Sequence, residues 1–356
     1  MKELDMTQVK QIISLFALSC LSGWTFAEIK GTSFVHENWE IYCDNTGTCR
    51  AAGYQDEDGS DAPVSILLTR HAGPQQAVKI EFALGDGFEE VKSSQLKNIH
   101  LYVNGQDLGT IQGDGRDAPI LGTLNKVQTQ KIIDQAQKSA EIHFKNAYFD
   151  WIVSDRGMTA TLLKMDDFQK RVGTVGALVK KGATNENQVL KAQPKRVVQH
   201  IKVSNQPYLT LSPKQKAYQN LHEKLMAVLP QDFECEGYYA NDDMQSQPIE
   251  LYKLNNQKVM AMTPCWRGAY NEGSGIWMLD EAFKKAEFVT DQASDYEAGI
   301  IHSAQKGRGI GDCWASAEWV WNGQHFIQTV DRWSGMCKGI AAGGVWNLDL
   351  IDAVVK

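Results

Sequence analysis

Short runs of alternating apolar and polar residues follow one another along most of the chain, and each has the period of a half-buried strand. Ile99 to Val103 and Leu108 to Ile111 flank Asn104-Gly105, a dipeptide that readily takes the positive φ angles of a tight hairpin turn. Val64 to Leu68, Val78 to Leu84, Glu141 to Phe144 and Tyr148 to Val153 carry further strand patterns. Asp155-Arg156-Gly157 is expected to turn the last of them into another strand, Thr159 to Leu163. Helical signals are few in this half: one around Val127 to Gln137 and a shorter one at Asp166 to Val172.

The pattern changes at Ser212. Its side chain is placed to cap the amide of Gln215 while the Gln215 side chain reaches back, and Pro213 suits the first helical position, where its missing N–H costs nothing. Ala217, Leu221, Leu225 and Val228 then form one apolar stripe, which Pro230 ends. Strand patterns return at Ile249 to Leu254, Lys258 to Met262, Ile276 to Leu279 and Ala286 to Val289. Glu318 to Trp321, Asn322-Gly323 and His325 to Val330 predict a second hairpin.

Composition adds a compartment. Lys2 and Lys10, the apolar run Ile12 to Leu21 and Thr25-Phe26-Ala27 read as a signal peptide over 1–27, with a run too short to span a bilayer. Met6 is an alternative start that removes Glu3 and Asp5 from the leader, and Ala17-Leu18-Ser19-Cys20 is similar to a lipid-attachment box, the competing reading. The remaining cysteines, Cys43, Cys49, Cys235, Cys265, Cys313 and Cys337, are even in number and favour disulfides in an oxidising compartment. The Asn45-Thr46-Gly47 turn brings Cys43 toward Cys49, and the four others, all in the second half, are paired as Cys235 with Cys265 and Cys313 with Cys337. Without a C-x-x-C and with the eight histidines scattered, neither a structural metal nor a cofactor is expected.

Charge divides the chain further. Residues 180–216 hold eight basic side chains against Glu186 alone, whereas the stretches on either side are acidic, within a formal net charge of −7. With 356 residues exceeding what one core usually organises, four segments are expected: the leader 1–27, an N-terminal mainly β domain 28–179, a basic linker 180–213 and a Trp- and Cys-rich α+β domain 214–356. The fold class is α+β and mainly β, an antiparallel β-sandwich or barrel-like domain followed by a disulfide-linked α+β domain. Two acidic domains are poor partners for nucleic acid, and the mature chain carries no transmembrane segment.

Three segments identify relatives. Trp39-Glu40-Ile41-Tyr42-Cys43-Asp44-Asn45-Thr46-Gly47-Thr48-Cys49-Arg50-Ala51-Ala52-Gly53-Tyr54, Lys164-Met165-Asp166-Asp167-Phe168-Gln169 and Gly307-Arg308-Gly309-Ile310-Gly311-Asp312-Cys313 resemble the domain-of-unknown-function 1176 family, exported proteins of Gram-negative bacteria. The N-terminal half is also distantly similar to the invasion-associated locus B proteins, small envelope β-proteins. The resemblance implies a periplasmic address and a non-catalytic envelope role, and carries over no activity.

Candidate chemistry concentrates near the C-terminus, where seven of the ten tryptophans lie between Trp266 and Trp346. Trp314, Trp319, Trp321 and Trp333, together with Arg308, are the candidate binding residues, since indole faces stack on sugar rings or on a partner's side chains. The bland alternative is that these indoles simply fill a core. The Gly307-x-Gly309-x-Gly311 loop can cradle an anion or merely position Cys313, and Gly343-Gly344 lets the backbone approach the aromatic cluster. Asp56-Glu57-Asp58-Gly59-Ser60-Asp61 lacks the calcium-loop order and reads as an acidic surface turn. The leading expectation is a binding or inhibitor-type module for an envelope protein or glycan. A glycan hydrolase using two of Asp312, Glu318 and Asp331, at roughly 5–10 Å, is one alternative. An envelope-maintenance protein with every Trp buried and no pocket is the other.

Overall fold

The computed structural model describes residues 29–57, 62–86, 92–114, 117–231, 233, 235, 238–240, 243–245 and 247–356. The expected leader, with Met6 and Cys20, lies outside them, as does most of the acidic turn that begins at Asp56. Among the described residues no helix is long and apolar enough to cross a membrane.

The first half contains β1 (Thr32–His36), β2 (Trp39–Cys43), β3 (Cys49–Tyr54), β4 (Val64–Arg70), β5 (Lys79–Leu84), β6 (His100–Val103), β7 (Gln106–Thr110), β8 (Ile120–Thr123), α1 (Lys126–Ile133), β9 (Ile142–Lys145), β10 (Asp150–Val153) and α2 (Met158–Phe168). One antiparallel sheet runs β1-β2-β3-β4-β5-β8 and a second β10-β9-β6-β7, with the core between them. Period two sorts the side chains: Trp39, Ile41, Ala51, Ile66, Leu68, Ile80 and Phe82 face that core, with Phe144 and Trp151 opposite. The alternate residues Ala52, Tyr54, Leu67 and Ala83 are buried too, against Ile340, Trp346 and Leu348 of the second half. The larger sheet is therefore covered on both faces.

Asn104 and Gly105 turn β6 into β7 with φ of 50° and 74°. Thr159 to Leu163 is helical, which corrects the expected strand: Met158, Thr161, Leu162 and Met165 are buried at helical spacing, and left-handed Gly157 starts the helix. The short helix expected at Asp166 to Val172 is corrected too: Asp166, Asp167 and Phe168 are the last residues of α2, which ends at Phe168, and 169–172 are not helical.

The second half contains β11 (Arg196–Val198), β12 (Leu209–Leu211), α3 (Lys216–Met226), β13 (Tyr238–Ala240), β14 (Asp243–Gln245), β15 (Ile249–Lys253), β16 (Lys258–Arg267), β17 (Glu272–Asp280), β18 (Ala286–Ala293), β19 (Asp295–Glu297), β20 (Ile300–Lys306), β21 (Trp314–Trp321), β22 (Phe326–Trp333) and β23 (Leu348–Val355). Sheets of order β11-β23-β22-β21-β20-β19 and β12-β15-β16-β17-β18 enclose Met260, Ile276, Met278, Ile301 and Trp321. Helix α3 covers the outer face of the second sheet. It begins after Gln215, whose side chain accepts from the Ser212 amide at 2.8 Å, while its own amide bonds the Ser212 carbonyl rather than the hydroxyl. The buried stripe is Tyr218, Leu221 and Leu225; Ala217 and Val228 face solvent. The chain is accordingly mainly β with three helices among the described residues, an α+β arrangement.

Disulfides join Cys43 to Cys49, Cys235 to Cys265 and Cys313 to Cys337. The basic stretch is held along its middle: the Gln193 amide donates to the Thr46 carbonyl, Lys195 pairs with Asp352 at 2.6 Å, and β11 lies parallel to β23.

Candidate functional site

Two loops meet beside the first half of the chain. The one between β20 and β21 carries Gly307 to Asp312, the one between β22 and β23 carries Ser334 to Asn347, and the Cys313–Cys337 disulfide staples them together. A Cβ on Gly307 would lie 2.6 Å from the Cys313 sulfur and 2.9 Å from the Trp333 ring, so only glycine lets the loop lie on its own crosslink. Asp312, 2% exposed, accepts a two-pronged bond from Arg308 at 2.7 and 2.5 Å and another from the Gly339 amide at 2.7 Å. Burial alone would raise this carboxyl, but the bonds from Arg308 and Gly339 and the guanidinium charge outweigh it and hold it below its ordinary value. Arg308 is thereby committed to Asp312.

A cleft of about 420 Å³ opens against the stapled loops. Trp314, Ser316, Arg332, Ser334, Gly344 and Asn347 line it. The half-buried Trp314 is fixed at both ends: its indole N–H donates to the Gly311 carbonyl at 2.9 Å, and its backbone amide donates to the Ser334 hydroxyl at 2.7 Å. Lys306 places its ammonium 5.4 Å from the indole centroid. A Cβ on Gly344 would collide with the Ser334 hydroxyl at 2.1 Å, so this glycine permits the close approach that closes one end of the cleft. Trp346 anchors the same wall to the first half through a 2.8 Å bond to the Ser65 hydroxyl.

The five candidate binding residues do not form one surface. Trp314 lines the cleft, Arg308 is held by Asp312, and Trp333, paired with Ala315 and so on the face away from Trp314, packs against the seam with the first half beside Gly307. Trp319 and Trp321 point from the face of β21 opposite Trp314 into the space between the two sheets, where Trp321 is fully enclosed and its indole N–H has no partner. Of the outer tryptophans, Trp277 is buried under α3 and Trp266 donates to the Asp291 carbonyl at 3.0 Å. The three acids also have separate settings: Asp312 as above, Glu318 accepting from the Thr329 hydroxyl at 2.7 Å, and Asp331 raised by burial and then by the charge of Asp349.

Arg332, Ser334 and Asn347 escaped the reading of the sequence, because isolated polar residues on strands and loops carry no spacing signal. So did Glu40. It is buried where β2 meets the second half, accepting from the Tyr54 hydroxyl at 2.5 Å and the Met336 amide at 2.8 Å. Burial pushes its carboxyl up to about 7, against the opposing bonds from Tyr54, Met336 and the Trp333 indole. Among the described residues the only group of three candidate metal ligands is Asp312, Cys313 and Cys337, and both sulfurs are spent in the disulfide.

A family model described as a protein of unknown function, DUF1176, matches residues 33–351. The uncharacterised protein YpfG of Escherichia coli (strain K12) is 24% identical over 325 residues, covering 84% of this chain and 88% of that protein. No solved structure matches.

Proposed function

Because the chain belongs to the DUF1176 family, described only as of unknown function, we propose from its geometry that it is an exported, non-catalytic binding module whose Trp314 cleft takes an envelope glycan. The observation that carries this reading is the pinned indole of Trp314 in a cleft of about 420 Å³ that also presents Ser316, Arg332, Ser334 and Asn347. A sugar ring offers an apolar face to an indole and hydroxyls to such neighbours. Three disulfides suit the oxidising periplasm that the leader pattern of 1–27 implies. Binding is preferred over hydrolysis because Asp312 is held by Arg308 and Gly339, and Glu318 by Thr329, rather than standing free as an acid and a nucleophile.

The test uses soluble fragments from a digest of bacterial cell wall, titrated into the protein and followed by calorimetry. Trp314→Ala is expected to abolish the binding heat with little change in melting temperature, whereas Trp321→Ala lowers the melting temperature sharply because that ring is core. Equal binding by wild type and Trp314→Ala, or no binding by the wild type, defeats the reading.

A further inference from the structure

Arg332 is the one charged residue, among the described residues, that lines the Trp314 cleft; no acid lines it. Across three neighbouring strands, Ser316 of β21 lies opposite Arg332 of β22, which lies opposite Asp349 of β23. Ser316 is two residues beyond Trp314, so the indole and the guanidinium share one side of the sheet. Asp349 is buried and accepts from Arg332 Nε at 2.6 Å. Its other carboxylate oxygen lies 3.7 Å from a terminal nitrogen of Arg50, which pairs in turn with buried Asp44 at 2.7 Å. A row of alternating charges thus begins inside the first half of the chain and ends at a half-exposed guanidinium in the cleft.

Buried charges are costly unless each keeps its partner, and that requirement aims Arg332. Burial raises the Asp349 carboxyl, against the bond and charge of Arg332 and the charge of Arg50, so a guanidinium that swung away would strand it. Among the described residues Arg332 makes no hydrogen bond through its two terminal nitrogens, the pair that can grip a carboxylate by two parallel bonds. A second positive charge, the Lys306 ammonium, stands 5.4 Å from the centre of the Trp314 indole. A neutral sugar would use the indole and the hydroxyls but leave those nitrogens to water. On the reading that the cleft takes a glycan, we propose that the sugar it prefers is acidic. Its carboxylate receives two bonds from the terminal nitrogens of Arg332 while the apolar face of the ring lies on Trp314. Asp349 is the positioning residue.

N-acetylmuramic acid differs from N-acetylglucosamine only by a lactyl ether that carries a carboxylate, and its methyl ester keeps that arm without the charge. Calorimetric titration of the full chain is expected to show N-acetylmuramic acid binding at least about tenfold more tightly than either neutral sugar, as charge-assisted hydrogen bonds provide. Arg332→Gln should abolish the preference, so that the three ligands bind alike. Arg332→Lys, which keeps a charge beside Asp349 but not the fork, should retain only part of it. Asp349→Asn should narrow it as well. If Arg332→Gln does not fold, the wild-type ratio and the lysine variant decide. An undiminished preference in the arginine variants, or sodium lactate binding as tightly as the acidic sugar, would overturn the proposal. Equal affinities for the three sugars, or no binding of N-acetylmuramic acid by a protein that binds the cell-wall digest, would overturn it and leave the glycan reading standing. Failure of the digest as well removes both.

Discussion

Glu40 shows how a single residue registers the environment that the whole fold creates. Alternation along β2 sends Trp39 and Ile41 into the core of the first half, so Glu40 must point the other way, and the second half covers it. Its carboxyl rises from 4.5 to about 7 because burial penalises the charged form more than its three donors reward it. The folded protein therefore holds a proton that the unfolded chain has released between those two values. Stability is fullest below pH 4.5 as far as this group is concerned, and it falls as pH rises through 7. At about 1.4 kcal/mol per pH unit, the effect is on the order of 3 kcal/mol. Urea midpoints at pH 5.5 and pH 8 should show wild type losing stability over that interval and Glu40→Gln losing distinctly less. Identical shifts in the two proteins would mean that Glu40 is ionised throughout.

At the scale of elements, two of the three segments that resemble the family shape the fold. In the first, Asp44 accepts from the Thr46 and Thr48 amides at 2.8 and 3.2 Å and pairs with Arg50 at 2.7 Å, which shapes the turn inside the Cys43–Cys49 loop. Gly53 lies opposite Trp39, and a Cβ there would sit 2.4 Å from the indole. In the second, buried Asp166 pairs with Arg70 at 2.7 Å and accepts from the Leu178 and Val179 amides. Gly53→Ala should thus cost about 2–3 kcal/mol, since neither the strand nor the enclosed ring can yield cheaply. A melting temperature within a degree of wild type would show that the ring moves aside.

The same elements mark what a sequence can disclose. The β6–β7 hairpin is legible because Asn-Gly fixes its own turn. The β21–β22 connection is less so: Asn322 uses its side-chain oxygen to accept from the Gln324 and His325 amides, making a longer loop than the dipeptide suggests. Helix α2 was hidden because its buried positions include Thr161 and Asp166, which no apolar stripe reveals. Aromatic crowding located the region of the cleft, yet the division of its indoles between two faces depends on which sheet covers β21, a long-range fact absent from any local window.

For the whole molecule the decisive surface is the seam between the halves. Ala52, Tyr54, Leu67 and Ala83 leave the larger sheet on the side away from its own core and meet Ile340, Trp346 and Leu348. Polar bonds cross at the same place: Trp346 to Ser65 at 2.8 Å, Met336 to Glu40 at 2.8 Å and Gln55 to the Lys338 carbonyl at 2.8 Å. A sheet apolar on both faces requires a cover, so the first half alone would present an apolar surface to water. The stapled loops that form the Trp314 cleft are also the loops that supply this cover. Stability and the candidate site are therefore coupled through Trp346. Trp346→Ala should cost about 3–5 kcal/mol, as removal of a buried tryptophan does, and should weaken the cleft as well. The measurement is hydrogen exchange by mass spectrometry: exchange should rise together in β3–β5 and in residues 334–347. An increase confined to those loops, with the larger sheet still protected, would show that each half is stable without the other.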